Sequence, residues 1–272
     1  MKPIIVRGGG DLATATIHRL CKSGYPVIIL ECERPSAIRR LVSFCQAVYE
    51  GTMEVEGLTC SRAESFEEAL GRVSWNRPQL IVDPQGKCLE KYHPDILVDG
   101  ILAKKNLGTR RDMAELTIAL GPGFTAGEDV DYVIETKRGH YLGRIISQGA
   151  AIPNTGVPGM IGGYGKERVI HSPCPGIFHQ EKEIGDWVEK GSRIGWVERE
   201  GAPASVCTEI SGVLRGIIQE GYPVTEHFKI ADVDPRKESQ AHCALISDKA
   251  RCIAGSVLEL VSAYEKGVLL ER

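Results

Sequence analysis

Residues 3–20 read PIIVRGGGDLATATIHRL, an apolar run followed by three glycines and then a helical pattern. The run at 3–7 predicts a buried strand, because a parallel strand covered on both faces is apolar throughout. Leu12, Ile17 and Leu20 recur near the helical period of about 3.6 residues. The order of strand, glycine turn and helix predicts the first unit of a layered α/β sheet.

Further apolar runs continue this pattern along the first third of the chain. PVIILE, LIVDP and DILVDGI predict three more buried strands, and SFEEALGRV predicts a short helix between them. Residues 1–103 are therefore predicted to form a Rossmann-like α/β domain. Residues 104–168 are rich in glycine and in loops, with one evident strand in DVDYVIET, and are assigned to completing that domain.

Composition excludes several classes of protein. The chain has 272 residues, a formal net charge of -3 and 42% hydrophobic residues, as a soluble globular protein has. A nucleic-acid-binding surface is not expected, because no broad basic face is evident. No apolar stretch approaches the roughly 20 residues of a membrane span, and the first residues lack a signal peptide. A cytoplasmic protein is expected.

Cysteine and histidine are dispersed along the sequence. The nine cysteines include no Cys-x-x-Cys pair, and the seven histidines form no close pair. This spacing predicts reduced thiols and no metal site. Cys174, in the turn SPCPG, is expected to be the most exposed thiol.

The glycine loop is typical of dinucleotide-binding turns. In Gly8-x-Gly10-x-x-Ala13, the first glycine permits a tight turn, the second admits a pyrophosphate, and the small third residue lets helix and strand pack. The second strand ends at Glu31, where an acid can accept from a ribose hydroxyl. The predicted cofactor-binding residues are Gly8, Gly9, Gly10, Asp11, Ala13, Glu31 and Arg34.

Asp11 leaves two readings of this loop open. The partial positive charge at the start of the helix favours an anion, whereas the negative charge of Asp11 opposes a nearby phosphate. The alternative is that Asp11 only caps the helix. The loop is thus either a phosphate cradle or a structural turn.

Residues 169–236 contain an internal repeat with an offset of 36 residues. Gly176 aligns with Gly212, and Gly185 aligns with Gly221, while apolar positions repeat alongside them. The repeat resembles biotinyl and lipoyl carrier domains, which have the barrel-sandwich-hybrid fold. No lysine occurs between Lys190 and Lys229, so the acylated lysine of a carrier is missing. A β-rich, non-carrier barrel is expected, followed by a C-terminal helix within 237–272.

Two polar segments supply the candidate catalytic residues. In DGILAKKNLGT, Lys104 and Lys105 follow a predicted strand end, where open α/β sheets bind ligands. In VIETKRGHYLGR, Glu135, Arg138 and His140 surround a glycine, and a histidine beside a glutamate suits acid–base chemistry. No recognised nucleophile motif accompanies them, so the catalytic residues stay unassigned among these candidates.

The motifs RGGGDLATATIHRL, VDGILAKKNLGT, IALGPGFTAGEDVDYVIETKRGHYLGR, NTGVPG and KIADVDPRKE occur in one order along nearly the whole chain. As a set, they resemble the YqeB family of the selenium-dependent molybdenum hydroxylase system. The resemblance implies an accessory role in maturing such hydroxylases, with the hydroxylase as partner and a link to the molybdopterin cofactor. It implies no particular reaction.

Three hypotheses stay open at this level. The first is a maturation protein that binds a nucleotide-bearing cofactor, either molybdopterin-type or NAD(P), and docks its client enzyme. The second is an NAD(P)-dependent oxidoreductase, and the third is a scaffold without a small ligand. Whether the protein is an enzyme is undecided, and a homo-oligomer is compatible with its size.

Overall fold

The computed structural model describes residues 2–157 and 159–269. Residue 1 of the first predicted domain, residue 158 of the middle segment and residues 270–272 of the last segment lie outside the described residues. The chain divides into two compact units, each formed by separate stretches of sequence. Unit 1 comprises Met1–Pro35, Ser43–Asn154 and Ile246–Arg272, and unit 2 comprises Ser36–Val42 and Thr155–Leu245.

Unit 1 is built around a mixed sheet of nine strands. Its strands are β1 (Ile4–Arg7), β2 (Val27–Glu31), β3 (Thr52–Val55), β4 (Leu58–Arg62), β5 (Gln79–Val82), β6 (Ile96–Asp99), β7 (Leu116–Leu120), β9 (Tyr132–Ile134) and β10 (Ile145–Ile146). They lie in the order β10-β9-β7-β6-β1-β2-β5-β4-β3. A separate two-stranded sheet pairs β8 (Thr125–Ala126) with β11 (Gly149–Ala150).

The seven central strands from β9 to β4 run parallel, and the outermost pairs, β10 with β9 and β3 with β4, are antiparallel. Because parallel strands end on the same side of a sheet, the ends of β1, β2, β6, β7 and β9 meet at one edge, which we call the carboxyl edge. Strands β1, β2 and β6 are apolar and buried, as the runs PIIVRG, PVIILE and DILVDGI predict.

The described part of unit 1 contains the three helices that the sequence predicts and one further short helix. They are α1 (Asp11–Lys22), α2 (Ala47–Glu50), α3 (Phe66–Arg72) and α4 (Asp248–Glu265). Helix α1 packs along α4. The periodic positions Ile253, Val257, Leu260 and Val261 of α4 are all buried, so the predicted closing helix and its inner face are confirmed.

The predicted fold class, a Rossmann-like sheet followed by a barrel-sandwich hybrid, is wrong. Unit 1 contains one large mixed sheet, because the chain between β2 and β5 forms the antiparallel β3–β4 hairpin in addition to the predicted short helix. The segment expected to be mostly loop also contains β7, a fully buried central strand. The structure is therefore a mixed α/β fold.

Unit 2 consists of two antiparallel sheets of four strands each. Its strands are β12 (Val169–His171), β13 (Gly176–Gln180), β14 (Trp187–Val188), β15 (Arg193–Glu198), β16 (Ala204–Cys207), β17 (Gly212–Ile217), β18 (Tyr222–Val224) and β19 (Lys229–Asp234). One sheet has the order β12-β19-β17-β14, and the other has the order β16-β15-β13-β18. The expected barrel-sandwich hybrid is thus replaced by two small sheets whose apolar side chains form one core.

The internal repeat is visible in the hydrogen bonds of unit 2. The hydroxyl of Ser172 donates to the carbonyl of Cys174 over 2.6 Å, and 36 residues later Thr208 donates to Ile210 over 2.6 Å. Each copy supplies four strands, β12–β15 and β16–β19, and each sheet draws strands from both copies.

Residues 36–42 belong to unit 2 although they lie between segments of unit 1. The backbone N–H of Ile217 donates to the carbonyl of Ile38 over 2.9 Å, and the Arg40 guanidinium donates to the carbonyl of Ile217 over 2.9 Å. This short segment therefore extends the hydrogen bonding of β17. In the described part of the chain, no helix combines the length and apolarity that a membrane crossing requires.

Candidate functional site

The glycine loop after β1 is packed tightly against neighbouring backbone. Gly8 has a φ of +90°, and a Cβ added there would lie 3.0 Å from backbone atoms of Ile101. A Cβ on Gly9 would lie 2.9 Å from the backbone nitrogen of Cys45, which donates to the Gly9 carbonyl over 2.8 Å. Glycine is therefore required at both positions by protein packing alone.

Glu31 holds the same loop from the end of β2. One carboxylate oxygen accepts from the N–H of Gly9 over 2.7 Å, and the other accepts from the N–H of Cys32 over 2.8 Å. The acid predicted to meet a ribose thus binds the loop itself in this structure. Arg34, predicted alongside it, is exposed.

Gly10 differs from the two glycines before it. It is the residue before α1, no side chain caps the helix there, and a Cβ on it would meet nothing within 4 Å. Asp11 follows as the first helical residue and is half-buried. Ala13 is fully buried, 2.9 Å from the Cβ position of Gly100, as the small third residue of the pattern predicts. Of the three glycines, Gly10 is therefore the one that leaves room for an approaching group.

A buried polar cluster that the sequence did not indicate lies beside the loop. Arg7, at the end of β1, is 1% exposed, and its guanidinium donates to the hydroxyl of Thr109 and to the carbonyl of Pro84. Thr109 donates in turn to Asp99, at the end of β6. Burial raises the pKa of Asp99, although the Thr109 hydrogen bond and the charge of Arg7 oppose that rise. The Nε of Arg7 is buried without a hydrogen-bond partner.

The loops that follow β6 and β7 interlock at the carboxyl edge. Leu102 and Lys104 have positive φ values of 59° and 63°, which non-glycine residues adopt rarely. A Cβ on Gly123 would lie 2.6 Å from the backbone nitrogen of Lys105. The lysine side chains themselves are exposed. The predicted lysines thus stand on a strained, tightly packed loop, which is common near functional sites.

Glu135 follows β9 directly and is 2% exposed. Its two carboxylate oxygens accept from the N–H groups of Lys137 over 2.7 Å and Ile152 over 2.8 Å. The two other candidates of this segment are placed differently. Arg138 forms a two-bond ion pair with Asp248, at 2.8 and 2.9 Å, and His140 is exposed.

Glu135 lines a cavity of about 430 Å³, which we call the Glu135 cavity. The guanidinium of Arg144 lies over the ring of Tyr141, 5.7 Å from its centroid. The cavity therefore combines a buried acceptor, a cation, an aromatic ring and aliphatic side chains. Its lining residues are Glu135, Tyr141, Arg144, Ile145, Ile146, Ser147, Gln148, Ala150 and Ile152.

Lys249, in the first turn of α4, interacts with charges of both the helix start and this cavity. Burial lowers its pKa, and the charge of Arg138 lowers it further, while Asp11, Glu135 and Asp248 oppose the shift. Lys249 is therefore electrostatically coupled to the start of α1 and to the buried carboxylate of Glu135.

The thiols near the carboxyl edge are poorly nucleophilic. Burial, with the nearby charge of Glu31, raises the pKa of Cys32 to about 12 and raises that of Cys45 well above its ordinary value. Cys174, expected to be the most exposed thiol, is instead buried, because its turn packs into the core of unit 2.

The chain is 46% identical over 266 residues to the uncharacterized protein YqeB of Escherichia coli K12, covering 97% of this chain and 48% of that protein. The chain is a YqeB homologue. The predicted resemblance to the YqeB family is thereby confirmed, and the chain spans about half the length of the YqeB protein that it matches. No family model matches the chain.

Solved structures give weaker similarities than YqeB does. A succinylglutamate desuccinylase/aspartoacylase from Rhodobacter sphaeroides is 22% identical, with a TM-score of 0.23, over 25% of this chain and 22% of that chain. The apo ectoine utilization protein EutE (DoeB) from Ruegeria pomeroyi is 9% identical, with a TM-score of 0.27, over 85% and 86% of the two chains. At such low TM-scores, these similarities do not bear on activity.

Proposed function

We propose that this chain is an accessory protein that matures selenium-dependent molybdenum hydroxylases. In this role it binds a nucleotide-bearing cofactor at the carboxyl edge of unit 1 and docks the client enzyme. The motif set and the 46% identity to YqeB support the family part of the proposal. The role in selenium and molybdenum metabolism is an inference from the family resemblance.

The observation that carries the cofactor part is the arrangement at the carboxyl edge. The open side of Gly10, the half-buried Lys249 and the Glu135 cavity all belong to unit 1, and Lys249 is coupled to charges at both ends of this set. A helix start and a lysine favour an anionic group, while a cavity accommodates an organic ring. This combination suits a ligand that carries both a phosphate and a ring.

The fit of a cofactor differs along the glycine loop. Gly8 and Gly9 are filled by backbone, so a pyrophosphate does not fit against them. The proposed place for a phosphate is Gly10 at the start of α1, where an added Cβ would meet nothing within 4 Å. When bound, a molybdopterin-type cofactor would supply the pterin and metal chemistry that the client enzyme uses.

The arrangement favours this cofactor class over NAD(P). An NAD(P)-dependent oxidoreductase would use Glu31 as the acceptor for a ribose hydroxyl. In this structure the N–H of Gly9, which such a loop would offer to the pyrophosphate of the dinucleotide, already donates to Glu31. We therefore propose cofactor handling rather than hydride transfer.

Unit 2 is proposed as the part that docks the client. Its two sheets lack a lysine between Lys190 and Lys229, which a cofactor-carrier domain would need for acylation.

The proposal is tested in a strain that lacks the gene for this protein. The hydroxylase should accumulate as protein but contain little selenium and have little activity, and a plasmid carrying the wild-type gene should restore both. Elemental analysis of the purified hydroxylase measures selenium. A hydroxylase with full selenium content and full activity in the deletion strain would refute the proposal.

A further inference from the structure

We propose that the Glu135 cavity binds a planar nitrogen heterocycle with two adjacent N–H donors, the ring N–H and neighbouring 2-amino group that guanine and pterins share. This inference rests on the proposed function and names the chemistry of its ligand.

Glu135 supplies hydrogen-bond acceptors to the cavity. An ionised carboxylate only accepts hydrogen bonds, and its two oxygens offer about four lone-pair positions. The N–H groups of Lys137 and Ile152 use two of them. The remaining positions suit a ligand edge that presents two donors side by side. Adenine presents one donor beside an acceptor, so its ring nitrogen would face a carboxylate oxygen with no proton between them.

The walls of the cavity favour a flat ring. Tyr141 is 58% exposed, and the guanidinium of Arg144 lies 5.7 Å from its ring centroid. Both groups are planar and stack on heterocycles, and an arginine over an aromatic ring adds cation–π attraction. Ile145, Ile146 and Ile152 supply the apolar contacts. A simple inorganic anion does not fit this set, because Glu135 would repel it.

The ligand class is tested by isothermal titration calorimetry on the full chain with three probes: GMP, pterin-6-carboxylate and AMP. GMP, the pterin or both should bind at least about tenfold more tightly than AMP, since one bidentate pair discriminates by about 1–3 kcal/mol. Preference for GMP alone identifies a guanine nucleotide, and preference for the pterin alone identifies a pterin. Equal affinity for all three probes, or no binding at millimolar concentration, overturns the inference.

Matched variants locate the binding. Glu135→Gln should bring the affinities for GMP and AMP close to each other, because an amide offers one donor and one acceptor. Arg144→Met should weaken binding about two- to fivefold through loss of the cation–π contact.

Gln148→Trp adds bulk at an exposed position of the lining and should abolish binding without disturbing the Glu135 hydrogen bonds. Arg193→Met, an exposed position in unit 2, is the control and should bind as the wild type does.

These outcomes are separable from those of the maturation assay. Unchanged binding by Gln148→Trp would overturn the assignment to this cavity, even if Glu135→Gln failed to fold. If the deletion strain yields selenium-poor hydroxylase while AMP binds as well as GMP and the pterin, the ligand class is wrong and the maturation role stands.

Discussion

The carboxylate of Glu31 accepts a hydrogen bond of 2.7 Å from the backbone N–H of Gly9. This contact ties the end of β2 to the loop between β1 and α1, two elements that neighbour each other in the sheet. Because the second oxygen accepts from Cys32, the carboxylate stabilises both strand ends. Glu31 is thus a structural part of the glycine loop.

Replacing this carboxylate should weaken unit 1. In Glu31→Gln, one of the two N–H groups loses its acceptor, and an unpaired, partly buried donor costs about 1–3 kcal/mol. Thermal melting should show a lower transition temperature than for the wild type. The control is Glu33→Gln, which removes the same charge at an exposed position two residues away. Equal melting temperatures for Glu31→Gln and Glu33→Gln would contradict the contact.

Gly9 and Gly10 should respond differently to alanine. In Gly9→Ala the new Cβ would lie 2.9 Å from the backbone nitrogen of Cys45, and such overpacking costs about 1–3 kcal/mol. In Gly10→Ala the Cβ enters open space, so the cost is about 1 kcal/mol or less. Urea denaturation followed by circular dichroism measures both. The packing account fails if Gly10→Ala is the more destabilised of the two.

The two copies of the repeat should make equivalent contributions to unit 2. Ser172→Ala and Thr208→Ala each remove a hydroxyl that donates over 2.6 Å to a carbonyl two residues ahead. Each should lower the free energy of unfolding by about 1 kcal/mol. Ser205→Ala, at an exposed position of β16, serves as the control and should have little effect. A large effect of one buried substitution alone would show that the copies are not equivalent.

His179 should titrate above its ordinary pKa of 6.5. Burial lowers its pKa, but the carboxylates of Glu220, at 2.6 Å from Nδ1, and Glu198, at 3.2 Å from Nε2, together outweigh that effect. Since the folded-state pKa is raised, the stabilisation is complete below about pH 6.5 and is lost as the pH rises through the folded-state value. NMR titration of the histidine rings measures the midpoint.

The matched variant for this titration is Glu220→Gln, which removes the nearer carboxylate. It should shift the His179 midpoint downward and leave the other histidines unchanged. A wild-type midpoint at or below 6.5 would be inconsistent with the two contacts.

Much of unit 1 could be predicted because its signals are local. Apolar runs predicted β1, β2, β5 and β6, and helical spacing predicted α4. The helix from SFEEALGRV is confirmed as α3, which begins after Ser65, whose hydroxyl accepts from the N–H of Glu68. These elements depend on hydrophobic periodicity and helix capping, which are determined by residues close together in the sequence.

The predicted fold class was wrong because the fold depends on how the strands and helices are connected, and not only on which elements form. The β3–β4 hairpin was not predicted, because its strands are half-exposed and lack a continuous apolar run. Residues 36–42 join unit 2 through backbone contacts with Ile217. Backbone hydrogen bonds between distant segments leave no side-chain pattern in the sequence.

The site was predicted only in part for a similar reason. Its glycines were found, but the close contacts of Gly8 with Ile101 and of Gly9 with Cys45 depend on loops far along the chain. Arg7 was missed because it ends an apolar run and its partner Thr109 lies 102 residues away. Glu135 was identified, whereas the cavity that it lines forms only when β9 and β10 pair.

The central claim, that the carboxyl edge of unit 1 holds a ring-bearing phosphate cofactor, is tested most directly by mass spectrometry of small molecules released from the gently purified full chain. A nucleotide- or pterin-bearing compound should be present near one equivalent per chain, and the Gln148→Trp protein, purified in parallel, should lack it. Wild-type protein that releases no such compound, or the same amount from both proteins, would contradict the claim.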